Sequence, residues 1–136
     1  MGKFLRRGIL ALAMVFVIVP AAMADEFTQD DLVKWEKDFL SVVEEGDRLF
    51  HSALGSNAVS CDMCHPNATN THPETYPKVQ KQLGKVATLR DMINWCIKNP
   101  LEGEGMELAA EDPKMIALEA YIHYERRGVP LVPGKH

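Results

Sequence analysis

The feature that most constrains this 136-residue chain is the pentapeptide Cys61-Asp62-Met63-Cys64-His65. Two cysteines two residues apart, with a histidine directly after the second, spell C-x-x-C-H, the attachment spacing of a c-type haem. Each thiol can add across one vinyl group of the porphyrin, and the spacer sets the separation of the two sulfurs. His65 then lies beside the attachment point and can offer an imidazole nitrogen to the iron as the proximal ligand. Other readings of the same residues are weaker on chemical grounds. A structural zinc site needs four ligands, and the chain has no second C-x-x-C and no H-x-x-x-H. A thioredoxin-like redox pair opens a helix that follows a strand, and the flanking residues do not read that way. One covalent haem c is therefore expected, with Cys61 and Cys64 as its anchors and His65 on the iron.

The amino terminus agrees with that chemistry. Lys3, Arg6 and Arg7 form a basic region, an apolar run follows from Gly8 to Val19, and Ala22-Met23-Ala24 has the A-x-A form of a signal-peptidase site. The run is shorter than the about 20 residues needed to span a bilayer. Residues 1–24 are expected to be a signal peptide cleaved after Ala24, giving a periplasmic protein with no membrane span in the mature chain. That cleavage leaves 112 of the 136 residues, enough for one small domain and no second core. Three of the 15 Lys and Arg leave with the leader and all 19 Asp and Glu stay. The mature chain then has 12 basic against 19 acidic residues, a net −7 with histidine neutral. Such acidity disfavours nucleic acid and anionic membrane, and permits docking to a basic patch on a redox partner protein.

Along the mature chain the patterns read as helices and loops, with no strand. From Thr28 to Ser52 apolar residues recur at helical spacing (Leu32, Trp35, Phe39, Val42, Val43, Leu49, Phe50). Thr28 is a candidate N-cap with Asp31 in the capping-box position, and Gly46 divides an outer helix from an inner one. Residues 66–77 carry three prolines, two asparagines and three threonines, a loop composition. Residues 88–99 read as a helix with Leu89, Met92, Ile93 and Cys96 on one face, stopped by Pro100. A last helix opens at Asp112 and Pro113 and runs to about Arg127, with Gly128 as its cap. The expected organisation is an amino-terminal helical extension over 25–45, a cytochrome c domain over 46–128 and an extended tail over 129–136. The expected fold class is all-α, three to five helices around one covalently bound haem.

This order resembles a class I cytochrome c: a helix ending in Gly46-Asp47-Arg48-Leu49-Phe50 precedes C-x-x-C-H, and the last helix carries Ala120-Tyr121-Ile122. In that family the two helices cross closely, a small residue facing an aromatic one, and Gly46 and Tyr121 are the matching positions. Further downstream, Ile93-Asn94-Trp95-Cys96, Pro100-Leu101-Glu102-Gly103 and the run Pro113 to Ile122 resemble a narrower subgroup. That subgroup holds the SoxA cytochrome of the Sox sulfur-oxidation system and the thiosulfate dehydrogenases.

The sixth ligand of the iron is left open by the residues alone. Met92, Met106, Met115 and His72 are candidates, and Cys96 is set apart by arithmetic, as the third cysteine with no partner in the chain. As a buried apolar residue it could equally be an inert thiol. The resemblance implies Cys96 as the distal ligand and Met115 as a packing residue; Met106, where that subgroup usually carries a leucine, is the alternative ligand to Cys96. A thiolate would lower the reduction potential, whereas a thioether raises it. The expected function is electron transfer by an exported monohaem cytochrome, more a carrier or electron-transfer subunit than an independent enzyme. The alternative is a catalytic haem subunit oxidising thiosulfate or a related sulfur compound, working with a second cytochrome or sulfur-metabolism enzyme. That reading needs cations beside Cys96, and Lys85, Arg90 and Lys98 are the nearest in sequence, on what reads as a solvated face.

Overall fold

The structure is a computed structural model that describes residues 27–136, so the expected signal peptide and its cleavage site lie outside the described residues. Three helices frame it: α1 (Gln29–Phe50), α2 (Leu89–Lys98) and α3 (Pro113–Glu125). Between α1 and α2 come three single 3-10 turns and a two-stranded antiparallel hairpin, β1 (Lys78–Gln80) and β2 (Lys85–Ala87). The fold is therefore not all-α. Strands of three residues are too short to display a period, and Lys and Gln are good helix formers, so nothing local announced them. The hairpin is closed by backbone bonds from Leu83 and Gly84 to the Gln80 carbonyl, with Gly84 in the left-handed region at φ +64°. Among the described residues no helix is long and apolar enough to cross a membrane.

Helix α1 starts where its capping box lies. The Thr28 hydroxyl accepts from the Asp31 amide at 3.1 Å and the Asp31 carboxylate accepts from the Thr28 amide at 3.0 Å. The helix then runs unbroken through Gly46, so the expected division there does not occur. Gly46 serves packing instead. A Cβ at this position would lie 2.0 Å from the Ala117 carbonyl oxygen and 2.7 Å from Tyr121 Cβ, which means α3 crosses α1 backbone against backbone. Farther along, Phe39 meets Tyr124 with ring centroids 6.3 Å apart, a second contact between the two helices. Val43, Leu49 and Phe50 of α1 join Leu118, Tyr121 and Ile122 of α3 and Leu89 of α2 in one buried cluster. The first turns of α1 extend past this cluster and leave Leu32, Trp35 and Phe39 exposed.

Helix α2 has the same kind of start. Thr88 and Asp91 bond reciprocally, and the Lys85 ammonium reaches the other Asp91 oxygen at 2.9 Å, fastening β2 to the helix. The Thr88 amide, then Lys85, hold the Asp91 carboxyl down at about 2, against an ordinary 3.8. Native Asp91 therefore stays ionised below the pH at which the unfolded chain takes up the proton. Its contribution is complete above pH 3.8 and is lost as pH falls through about 2. Asp91→Asn is expected to cost about 1 kcal/mol at neutral pH, the usual size of a cap. It also makes the acid limb of the stability curve shallower, which thermal unfolding from pH 7 to pH 2 would measure.

Helix α3 opens as expected, Asp112 accepting from the Lys114 amide at 2.8 Å with Pro113 in the first turn. It ends at Glu125 with Arg126 as its cap, slightly before the expected Gly128.

Candidate functional site

The C-x-x-C-H segment folds as a tight turn. The amides of Cys64 and His65 both donate to the Cys61 carbonyl, at 3.2 and 3.0 Å. Cys61, Cys64 and His65 line a cavity of about 300 Å³, within the range of small-molecule sites. Cys96 reaches the same cavity from α2, and Met92 lines it one turn earlier. Phe50 from α1, Leu89 and Ile93 from α2, and Leu118 and Ile122 from α3 supply the apolar walls. The segment before the motif is tied over the site. Gly55 sits against the Leu101 backbone where a Cβ would fall 1.7 Å from its oxygen, and Asn57 donates to the Pro100 carbonyl at 2.8 Å. The end of α2 and the start of the motif are thus held together across 43 positions of chain.

The half-buried His65 ring is pinned through one nitrogen. Nδ1 lies 3.0 Å from the Thr69 carbonyl oxygen, so it carries the proton and leaves Nε2 with a free lone pair. A backbone carbonyl behind Nδ1 is the arrangement that fixes the tautomer and ring orientation of a metal-binding histidine. Burial pushes the Cys61 thiol up to about 12, with the nearby Cys96 adding to it. Burial likewise pushes Cys96 up to about 11, with Cys64 as the second cause. In a dry cavity such thiols stay protonated and unreactive. A bound metal ion inverts that order, because a coordinating thiol is deprotonated outright. A mainly apolar cavity with two thiols beside a histidine is what a c-type haem requires of a site, and a third thiol, Cys96, faces the same space. The residues present fit that haem.

The other ligand candidates lie elsewhere. Met106 is 51% exposed in the loop after α2 and does not line the cavity. That loop is fastened by Asn94, whose side chain both donates to and accepts from the Leu108 backbone, at 2.8 and 2.9 Å. Met115 is fully buried in α3 and outside the cavity. His72 lies off the cavity, its Nδ1 3.0 Å from the Glu74 carboxylate. The cations expected nearest to Cys96 are all paired away from it: Lys85 with Asp91, Arg90 with Glu119, Lys98 with Glu104. Lys78 lines the cavity instead, and reading by sequence distance missed it. No local signal marked it, because the strand that carries it is only three residues long.

Fold and site together define a small c-type cytochrome. The comparison with known families agrees: residues 45–131 match the SoxA/TsdA cytochrome c domain, and the chain belongs to that family of haem electron-transfer cytochromes. Over 82 residues it is 28% identical to the thiosulfate dehydrogenase of Psychrobacter arcticus. The match covers 54% of this chain and 24% of that relative, so the chain spans well under half of the enzyme's length.

Proposed function

We propose that the chain holds a single haem c through thioether bonds from Cys61 and Cys64, with His65 and Cys96 as axial ligands, and passes electrons between redox partner proteins. The observation that carries this reading is the convergence of Cys61, Cys64, His65 and Cys96 on one mainly apolar cavity. The haem supplies a reversible one-electron couple. The polypeptide does the rest: two thiols anchor, the Thr69 carbonyl aims the His65 ring, and the walls from α1, α2 and α3 keep water from the iron. An anionic sulfur from Cys96 favours the ferric state and a low potential, which suits a low-potential donor and acceptor. Met92, one turn from Cys96, is the methionine alternative on the cavity wall. Export fits the same reading, with residues 1–24 as a cleaved leader and a periplasmic cytochrome domain over 46–128.

Oxidation of thiosulfate or a related sulfur compound is the second reading, supported by the relative's name and by the family. The test of the first is chemical. Purified from cells that attach haem c, the chain is expected to gain the mass of one haem and to keep its colour through acid–acetone extraction. Haem that extracts into the solvent would mean that Cys61 and Cys64 are not thioether anchors.

A further inference from the structure

The β1–β2 hairpin is amphipathic the wrong way round. Val79 and Val86, paired across the strands, are 52% and 66% exposed, while Lys78 and Gln80 on the alternate face are half-buried and line the cavity. A hairpin packed on an apolar site normally turns its valines inward and its polar residues out. The inversion means that the inner face answers to a polar group. Charge points the same way. In a chain with 19 acidic and 15 basic residues, no carboxylate among the described residues lines the cavity, and Lys78 is its one lysine or arginine. Lys78 makes no ion pair among the described residues. Its ammonium lies 4.8 Å from the centroid of the Tyr76 ring, and the Tyr76 hydroxyl accepts from the Gln80 amide. One tyrosine thus holds the cation and the amide side by side, with Gln82 a further donor on the same cavity.

We infer that Lys78, Gln80 and Gln82 form an anion-binding rim on the haem cavity, suited to a carboxylate or a similar oxyanion. Lys78 supplies the charge, and the two amides supply neutral N–H donors. The inference rests on the haem reading of this cavity and adds residues to it. Two sources share the chemistry: the propionate carboxylates carried by the haem, and a free oxyanion such as thiosulfate.

The holoprotein, Lys78→Gln and Lys78→Arg are compared by resonance Raman spectroscopy and by titration of the Soret band with thiosulfate. If the rim holds a propionate, its bending mode shifts in Lys78→Gln, keeps its position in Lys78→Arg, and thiosulfate changes nothing. If it holds a free oxyanion, thiosulfate perturbs the Soret band saturably, and the apparent Kd weakens about tenfold in Lys78→Gln and recovers in Lys78→Arg. A propionate mode and a thiosulfate response that are both identical in all three proteins would overturn the inference. Absence of haem from the wild type would instead strike the haem reading and remove the propionate source. Thiosulfate titration followed by intrinsic fluorescence then decides the rim by itself, a response equal in Lys78→Gln and wild type, or none in either, counting against it.

Discussion

Gly46→Ala is expected to destabilise the protein by about 3 kcal/mol, even though alanine is the better helix former. Inside a helix the exchange alone gains up to about 1 kcal/mol. Here the added methyl meets the Ala117 carbonyl oxygen at 2.0 Å, its carbon at 2.7 Å and Tyr121 Cβ at 2.7 Å. All three belong to backbone or to a Cβ, so no rotamer change can relieve the contact, and the helix axes must separate. Phe50 and Tyr121, with ring centroids 5.1 Å apart, would lose contact in that separation. Phe50 and Leu118 also wall the cavity, so the damage reaches the site. Small domains hold only about 5–15 kcal/mol in total, which makes this a large fraction. Urea unfolding of the two holoproteins reads the effect. A gain in stability would show that intrinsic helix propensity outweighs the close crossing.

The same crossing shows what the chain discloses in its letters. Gly46 opposite Tyr121 was legible only through the resemblance to class I cytochromes, since periodicity alone read the glycine as a break. The three helices were legible from chemical starts at Thr28 and Asp112 and from repeating apolar faces in α1 and α2. The hairpin was hidden because its strands are three residues each and its valines face water. That inversion also hid Lys78. Lys85, Arg90 and Lys98, the cations nearest to Cys96 in sequence, read as a solvated face, and each is paired there, with Asp91, Glu119 and Glu104. The hairpin returns Lys78, eighteen positions upstream, to the cavity. Met106 was attractive by order along the chain but is exposed and lies outside the cavity, in a loop whose Leu108 is held by Asn94 and packs on the core.

Cys96→Ala is expected to remove the low-spin thiolate signature from the paramagnetic resonance spectrum of the ferric protein, and Cys96→Met to raise the reduction potential. Axial ligands move haem potentials over a range of about 0.8 V, so the methionine variant is expected to shift by a few tenths of a volt. The direction follows from charge: an anionic sulfur stabilises the ferric state, and a neutral thioether stabilises it less. The neighbouring Met92 makes a pair of controls necessary. It lies one helical turn from Cys96 on the same cavity wall, so it could replace the missing sulfur in Cys96→Ala. Met92→Leu alone is therefore expected to leave the wild-type spectrum intact. Met92→Leu combined with Cys96→Ala removes any methionine signal that the single alanine variant acquires. The weak far-red band of a methionine-bound iron in the wild type, kept in Cys96→Ala and lost in Met92→Leu, would transfer the sixth position to Met92. Cys96 would then be a buried thiol whose raised pKa of about 11 reflects burial first and the nearby Cys64 second. The potential would rise with that reassignment, and with it the kind of redox partner the cytochrome can serve.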